Sequence, residues 1–591
     1  MTTGTRNDRE ADGSSGLPES QVHGSIRPAG QARPRRARPA VLFWAGPLLI
    51  ALMAGVGVLA SLDPAGSYPN LVEGPGVTLD EVFNVQMGVY QYRALNDHGW
   101  RLWTAPVRDE VFADRFYNPD HPPLGRIWIG FCHDLTRFLV PPVETGALTV
   151  TACARTASAI AFAATVFLVG LYAGRWYGVT AGWTAALALT LMPRVFAHAH
   201  LASLETSTNL IFAAAVFFVA DRLGRGPAQE TTNRRLLTNA FLAGLLFGLA
   251  LLTKIQAVLL PVPISLWMLW RFRLRGLLPI GVFGLTGLAV FLLGWPWLWI
   301  DPAPHLLEYF RRGVERATVY CFYLGTRYPD VNVPWHYPLV LFAVTIPIGL
   351  HVLAVCGLVK NGKRAPDSET AEPDATRART ILLAGTVLFI LVFFSLPGIT
   401  VYDGSRLFLV AYPLWAVLIG AGAAWMFRLL QQRWSSRVAA GVVAGIFAAQ
   451  SYGVIALHPC QLSYYNAAMG GLRGADGCGM ELSYWADSIT RDLLEAAANR
   501  IPAGSTIDLA PRLIPAQETE LLLQSPILTK KNYRLRAYDD KAGNDIRYVI
   551  VYRRKADPWP SLDPAPEGGT LIAEVRREGV QLAAVYELEE R

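Results

Sequence analysis

The stretch AVLFWAGPLLIALMAGVGVLAS, residues 40–61, is an apolar run without a charged side chain. It is long enough for a helix that crosses the hydrocarbon core of a bilayer, which needs about 20 residues. The composition of the whole chain agrees, because 52% of its 591 residues are hydrophobic and only 17% are charged. In soluble domains, about a quarter of all residues are charged. We therefore expect a polytopic α-helical membrane protein.

Further apolar stretches along the chain predict further spans. With the first one they give about eleven spans, and the later ones start near Leu148, Gly178, Ser203, Asn239, Gln256, Leu277, Tyr337, Ile381, Leu407 and Val438. The part from 239 to 270 is interrupted by Thr253 and Lys254, which favours two short spans over one long helix.

Basic residues are concentrated on one side of the predicted spans. RPRRARP (33–39) precedes the first span, and arginine-rich turns follow the fourth, sixth and tenth. By the positive-inside rule the N-terminus is cytoplasmic and the C-terminus lies outside the plasma (bacterial inner) membrane. The net charge of +7 is then mostly an orientation signal, and we expect no nucleic-acid partner.

The polar segments define the domains. Residues 1–39 predict a disordered, basic cytoplasmic tail, and residues 40–457 a transmembrane domain with outer loops at 62–147 and 300–336. Residues 458–591 contain STIDLAP, RYVIVYRR and TLIAEV, which predict strands, and a helix over 487–498. We expect a small extracytoplasmic α/β domain there. No internal repeat is evident, which disfavours an inverted-repeat transporter.

Two motifs stand in the first outer loop. In VTLDEVFNVQMGVYQY (77–92), Asp80 and Glu81 either stabilise the first turn of a helix or supply a general base at the membrane surface. In NPDHPPLGRIWIG (118–130), two prolines fix an extended turn between His121 and Arg126. That segment is either a loop-to-helix junction or an anion-binding mouth.

DEVFN followed by NPDHPPLGR resembles the dolichyl-phosphate-mannose protein O-mannosyltransferases (glycosyltransferase family 39) and their bacterial relatives. The wider group is the GT-C glycosyltransferases, which includes aminoarabinose transferases that act on lipid A. The resemblance covers roughly residues 40–430. It implies a GT-C transmembrane domain, a sugar donor on a polyprenyl phosphate, and Asp80 as catalytic base with Glu81 beside it.

Charges in or near the spans need counterions, because an unpaired charge is unfavourable there. Arg155 is expected either to bind the donor phosphate or to snorkel to the outer interface. Lys254 is expected to bind the donor phosphate, or to pair with Glu205 or Asp80. Arg406 is expected to lie near the donor, to anchor the helix end at the interface, or to pair with Asp403. The candidate phosphate-binding residues are Arg155, Lys254, Arg406, His121 and Arg126.

A third segment, MPRVFAHAHLASLETS, adds polar residues at an outer hairpin. His198, His200 and Glu205 are expected to line the cavity, as are Tyr402 and Asp403. HxH followed by Glu205 lacks a further ligand at helical spacing, so the pattern does not indicate a metal site. We expect no required cofactor, and a divalent metal stays open. Cys460 and Cys478, on the outer side, are compatible with a disulfide or with two free thiols.

These features together favour an enzyme. The expected reaction is an inverting transfer of a sugar, mannose or another hexose or pentose, from a polyprenyl-phosphate donor to an acceptor hydroxyl on the extracytoplasmic face. The expected partners are the lipid-linked donor, membrane lipid and an acceptor that is a protein, a lipid or a polysaccharide. The alternative is a polytopic transporter or flippase for lipid-linked or small polar substrates, which would also place charges within spans.

Overall fold

Helices make up most of the protein in the computed structural model. It describes residues 41–144, 146–226, 228–314, 318–362, 371–539, 546–563 and 565–589. The tail predicted at 1–39 lies outside the described residues. The helices in chain order are α1 (Leu42–Leu59), α2 (Leu79–His98), α3 (Ala105–Phe112), α4 (Pro123–Leu139), α5 (Thr151–Tyr177), α6 (Val179–Thr190), α7 (Pro193–His198), α8 (Leu204–Arg222), α9 (Asn233–Leu251), α10 (Pro261–Phe272), α11 (Leu277–Gly294), α12 (Pro302–Val314), α13 (Tyr337–Val344), α14 (Ile348–Gly362), α15 (Ala371–Phe394), α16 (Tyr412–Leu430), α17 (Ser436–Gln450), α18 (Tyr452–Ala456), α19 (Gly471–Gly477), α20 (Arg491–Ala498), α21 (Pro515–Gln524) and α22 (Pro526–Lys530).

Several of these helices can cross a membrane. Within the described residues, seven helical stretches are long and apolar enough, and the bent pair α13 and α14 brings the number to eight. The stretch Ile255–Gly294 holds both α10 and α11, whereas α1 and α6 are shorter apolar helices. The prediction of a polytopic α-helical membrane protein is confirmed. The count of about eleven spans stays a prediction.

One predicted span is broken. The stretch predicted from Tyr337 consists of α13 and α14, which meet at 107°. Pro347 directly precedes α14. Proline lacks a backbone N–H and clashes with the preceding turn, so it ends the helix that the hydropathy alone extends.

Small residues allow the helices to approach closely. Gly88 of α2 faces Gly130 of α4, and a Cβ on Gly130 would lie 2.1 Å from the Gly88 carbonyl oxygen. Glycine at such a crossing lets two backbones touch. The crossing holds α2, which carries the DE motif, against α4, whose first turn contains the end of the HPPLGR motif.

The C-terminal part contains a mixed five-stranded sheet with the order β4-β3-β5-β7-β6. β3 is parallel to β4 and β5, whereas β7 is antiparallel to β5 and β6. The strands are β3 (Thr506–Ala510), β4 (Arg534–Ala537), β5 (Tyr548–Tyr552), β6 (Thr570–Arg577) and β7 (Val580–Glu587), and a separate hairpin is formed by β1 (Tyr320–Tyr323) and β2 (Thr326–Pro329). The three predicted strand runs are confirmed.

The helix predicted over 487–498 starts later than expected, at Arg491. Trp485 and Ala486 have φ values of 60° and 68°, a left-handed backbone that an α-helix does not contain. Thr490, with extended backbone angles, is the residue before the first helical turn.

The sheet domain packs against the first outer loop. Gln517 of α21 donates to the Val77 carbonyl oxygen over 3.0 Å, and the Arg491 guanidinium binds the Asp63 carboxylate at 3.1 Å. Gln524 donates to the Thr149 carbonyl oxygen at 2.7 Å. These contacts hold the last hundred or so residues in place beside the start of α2. All six cysteines, Cys460 and Cys478 included, are free thiols.

Candidate functional site

A cavity of about 780 Å³ lies where the helical part meets the sheet domain. Two groups of side chains line it. The helical part contributes Asp80, His121, Lys254, Tyr402, Asp403 and Arg406, and the C-terminal part contributes Trp485, Arg512, Gln517, Tyr552 and Arg554. Six of the predicted site residues are therefore brought together in one cavity.

Arg406 is at the centre of a chain of charges. Its guanidinium pairs with the Asp80 carboxylate, donates from Nε to Glu205 Oε1 at 2.5 Å, and lies 3.5 Å from Asp403 Oδ2. The Lys254 ammonium pairs with the same oxygen of Glu205. Of the alternatives left open for Lys254, the structure therefore gives it Glu205 as counterion. Arg406 has the expected ion pair with Asp403 as well.

The local structure explains why these side chains meet. Asp80 and Glu205 lie in the first turns of α2 and α8, where a carboxylate complements the partial positive charge of the helix end. Lys254 follows α9 and precedes a short 3₁₀ turn, and Arg406 begins the 3₁₀ turn that leads into α16. All four residues lie at the ends of helices, so their charged groups converge at one end of the bundle.

Glu81, next to Asp80, has a different environment. It is fully buried and forms a two-point ion pair with Arg155, with N–O distances of 2.7 and 2.8 Å. The Ala202 amide donates to the same carboxylate at 2.7 Å. Glu81 also completes a capping box with Thr78 at the start of α2. It therefore fixes backbone segments together and does not face the cavity.

Arg155 is placed differently from the expectation that it binds the donor phosphate. Besides Glu81, it donates to the carbonyl oxygens of Leu62, Pro75 and Gly76 at 2.7–3.1 Å. Its side chain is fully buried. Since protein acceptors surround the guanidinium, Arg155 neither snorkels to the interface nor lines the cavity.

Arg126 is also enclosed, and it organises the turn that carries His121. It donates to the Asn118 carbonyl oxygen at 2.8 Å and lies 2.6 Å from Asp120 Oδ1. His121 itself lines the cavity. Burial lowers the pKa of His121 to about 4, so at neutral pH it is an uncharged hydrogen-bonding group and not a cation. His121 therefore stays a candidate phosphate-binding residue through a hydrogen bond and not through a positive charge.

The two other predicted site histidines, His198 and His200, lie behind the cavity wall. His200 Nε2 is hydrogen-bonded to Ser61 Oγ at 3.0 Å, and its Nδ1 to the Phe196 carbonyl oxygen at 2.8 Å. His198 packs edge-on against Trp485 with 6.0 Å between the ring centroids. His198, His200 and Glu205 are all expected from the sequence to line the cavity, but none of the three is part of its lining, and they have supporting positions behind it. Within the described ranges, no three His, Cys, Asp or Glu side chains form a potential metal site.

Sequence reasoning missed the contribution of the C-terminal part. The Arg406 guanidinium lies 5.2 Å from the ring centroid of Trp485, whose left-handed backbone is the kind of strain that clusters at functional sites. Arg554, just after β5, reaches Asp403 Oδ1 at 3.5 Å. The one available signal was RR at the end of RYVIVYRR, because a charged pair directly after a buried strand lies at the edge of a sheet.

The cavity also has an apolar wall. The side chains on this wall come from the 3₁₀ turn before α10, from the end of α15 and from the turn before α16, and they are Val258, Leu259, Phe393, Phe394 and Leu407. Charged groups on one side and apolar groups on the other suit an amphipathic ligand.

The fold and this cavity define an integral membrane protein with a charged site at one end of its helices. No family model and no curated protein sequence matches the chain. Among solved structures, it is similar to ArnT from Cupriavidus metallidurans bound to undecaprenyl phosphate, at 14% identity and a TM-score of 0.45, over 93% of this chain and 98% of that chain.

A second similar structure is the archaeal oligosaccharyltransferase AglB from Archaeoglobus fulgidus in complex with an inhibitory peptide and a dolichol-phosphate. The identity is 12% and the TM-score 0.46, over 86% of this chain and 69% of that chain. A likeness this distant assigns no reaction, which has to be argued from the site.

Proposed function

We propose that the protein is an integral membrane glycosyltransferase that moves a sugar from a polyprenyl-phosphate donor to an acceptor hydroxyl. One observation carries this proposal. A single cavity combines the Asp80 carboxylate, the cations Arg406 and Lys254, and an apolar wall. A polyprenyl-phosphate sugar has the matching parts, namely an anionic phosphate, a polar sugar and an apolar chain.

The donor phosphate binds Arg406 and Lys254. Both cations are nearly buried and are held by Glu205, so they are positioned before the donor arrives. Pre-organised positive charge stabilises the phosphate as negative charge develops on it, which is the main requirement for a phosphate leaving group. The apolar wall accommodates the first part of the polyprenyl chain.

Asp80 is the general base. Its carboxylate is paired with Arg406. A bound phosphate competes for the same guanidinium, which leaves Asp80 available to accept the proton of the acceptor hydroxyl. The hydroxyl oxygen then attacks the anomeric carbon, the bond from that carbon to the phosphate oxygen breaks, and its electron pair stays on the phosphate. Attack opposite to the leaving group inverts the anomeric centre.

His121 and the C-terminal side chains have supporting roles in this scheme. A neutral His121 donates a hydrogen bond to the sugar or the phosphate without adding charge. Trp485 offers an aromatic face beside Arg406, and such faces stack on sugars and cations. We propose that the sheet domain contributes to the choice of acceptor, because it forms one wall of the cavity.

The reaction needs no cofactor in this scheme, because Arg406 and Lys254 neutralise the leaving group. This stays a prediction. Activity that is lost with a chelator and restored by a divalent cation would contradict it.

The test uses the purified full chain in detergent with a radiolabelled polyprenyl-phosphate sugar and a membrane extract as acceptor source. Asp80→Asn should lower the transfer rate by about 10²–10⁴-fold, the usual contribution of a general base. Asp134→Asn is the control, because Asp134 lies on α4 outside the cavity lining and pairs with Arg93. Transfer by Asp80→Asn at the wild-type rate would refute the proposal. Flux of a lipid-linked sugar across vesicles without any transfer would favour the flippase.

A further inference from the structure

A second polar cavity, of about 450 Å³, lies at the far end of α8. Its lining residues come from the last turn of α8 and the first two turns of α9, and they are Arg222, Thr232, Arg234, Arg235, Thr238 and Asn239. Three arginines thus surround one small space, and no acidic side chain is part of its wall.

Three neighbouring arginines in the same region have protein partners. Arg225 pairs with Asp221, Arg271 donates to the Leu223 carbonyl oxygen at 2.9 Å, and Arg275 donates to the Thr231 carbonyl oxygen at 2.6 Å.

The three arginines of the second cavity differ. The guanidinium groups of Arg222, Arg234 and Arg235 make no ion pair or hydrogen bond with any residue that the structure describes. The Arg222 guanidinium lies 5.9 Å from the ring centroid of Phe218. Three positive charges close together without a counterion repel one another, and an anion bound between them would relieve this repulsion.

The position of the second cavity indicates at which membrane surface this anion binds. Glu205 and Arg222 are seventeen residues apart on α8, which is about 26 Å along the helix and close to the thickness of a bilayer core. The second cavity is therefore at the opposite membrane surface from the candidate active site. Phe241 and Leu242 follow it on α9 with side chains 48% and 40% exposed, so apolar surface continues from the cavity into the bilayer region.

We infer that this cavity binds the phosphate headgroup of an anionic membrane lipid. The guanidinium groups bind the phosphate oxygens, for which their planar N–H pairs are well matched. The hydroxyls of Thr232 and Thr238 and the Asn239 amide remain for the polar part of the headgroup. The acyl chains lie along Phe241 and Leu242. Basic pockets between spans are a recurrent way to bind anionic lipids.

The test compares lipid retention by native mass spectrometry of the detergent-purified chain with added phosphatidylglycerol or phosphatidylcholine. The variant R222Q/R234Q/R235Q should bind phosphatidylglycerol about a hundredfold more weakly than wild type, at roughly fivefold per arginine near an anionic headgroup. The control R428Q/R433Q/R437Q removes three arginines that do not line the cavity, and it should bind like wild type. Phosphatidylcholine should show no such difference.

The variant arginines are exposed, and equal thermal midpoints in the absence of added lipid would show that the variants fold. If the triple variant does not fold, Arg234→Gln alone should still weaken phosphatidylglycerol binding about fivefold. Wild-type affinity in the variants, or an equal loss in the control, would overturn the inference. Displacement of phosphatidylglycerol by millimolar inorganic phosphate alone would show a phosphate-ion site and overturn the assignment to a lipid.

Discussion

Replacing Glu81 with glutamine is expected to destabilise the protein much more than replacing the adjacent Asp80 with asparagine. Each substitution removes one negative charge and preserves the size of the side chain. The two carboxylates differ in surroundings, because Glu81 is fully buried and the Asp80 side chain is 26% exposed. The comparison therefore separates a structural carboxylate from a catalytic one within a single dipeptide.

The size of the effect follows from the contacts. Glu81 accepts five hydrogen bonds, from the Thr78 amide and hydroxyl, the Ala202 amide and two atoms of Arg155. In Glu81→Gln, one carboxylate oxygen becomes an N–H₂ group, which cannot accept the hydrogen bonds that this oxygen receives. The buried Arg155 also loses its counterion. Breaking a buried ion pair from one side costs about 3–5 kcal/mol.

Asp80→Asn leaves Arg406 with Glu205 and Asp403 as counterions. Its cost should be about 1 kcal/mol or less, as for a partly exposed pair.

The assay is thermal unfolding in detergent micelles, followed by tryptophan fluorescence. Glu81→Gln should lower the midpoint by roughly 5–10 °C, since 1 kcal/mol corresponds to about 2 °C or more in a large domain. The control is Glu110→Gln, an exposed glutamate on α3, which should leave the midpoint unchanged. If Glu81→Gln and Asp80→Asn unfold at the same temperature, the assignment of distinct roles to the two carboxylates is refuted.

Three further outcomes are expected. Burial raises the pKa of Asp487 to about 7 from an ordinary value near 4. Between about pH 4 and pH 7, the Asp487 carboxyl is therefore protonated in the folded chain and ionised in the unfolded chain. The free energy of unfolding should fall as the pH rises from about 4 to 7. Asp487→Asn should remove this decline, which midpoints at pH 5 and pH 8 would detect. Gly130→Ala should destabilise by about 1–3 kcal/mol, because its Cβ would collide with the Gly88 carbonyl oxygen. Gly281→Ala on α11, where a Cβ would meet nothing within 4 Å, is the control and should not lower the midpoint. Lys254→Met should raise the KM for the lipid-linked donor and also lower kcat, because the ammonium binds the phosphate and stabilises the charge that develops on it. Unchanged KM and kcat would show that Lys254 does not contact the phosphate.

Much of the helical framework could be predicted, because apolar runs long enough to span a bilayer leave few alternatives. The pairing of the buried charges was harder. The cost of an unpaired Lys254 in an apolar stretch made a counterion certain, but Glu205, Asp80 and a donor phosphate were all compatible with the sequence. Glu205 is the counterion of Lys254 because the start of α8 and the turn after α9 lie next to each other in the fold, which the sequence does not show.

The different roles of Asp80 and Glu81 depend on a contact that no local pattern contains. Arg155 lies 74 positions after Glu81, and its place in a helix says nothing about which carboxylate it meets. The cavity wall formed by Trp485 and Arg554 was missed for the same reason. Those residues follow Asp80 by more than four hundred positions. The strand pattern of the tail predicts a sheet but not the surface on which it docks.

The cavity wall is formed by residues that lie far apart in the sequence, and this has a consequence for biosynthesis. Asp80 and Lys254 are translated well before Arg554, which follows them by three hundred positions or more. The cavity is therefore open on one side until the sheet has folded against the first outer loop through contacts such as that of Gln517 with Val77. A chain whose synthesis has not reached the sheet contains the base and the cations but not the enclosure, so the site matures only after the sheet strands have been translated.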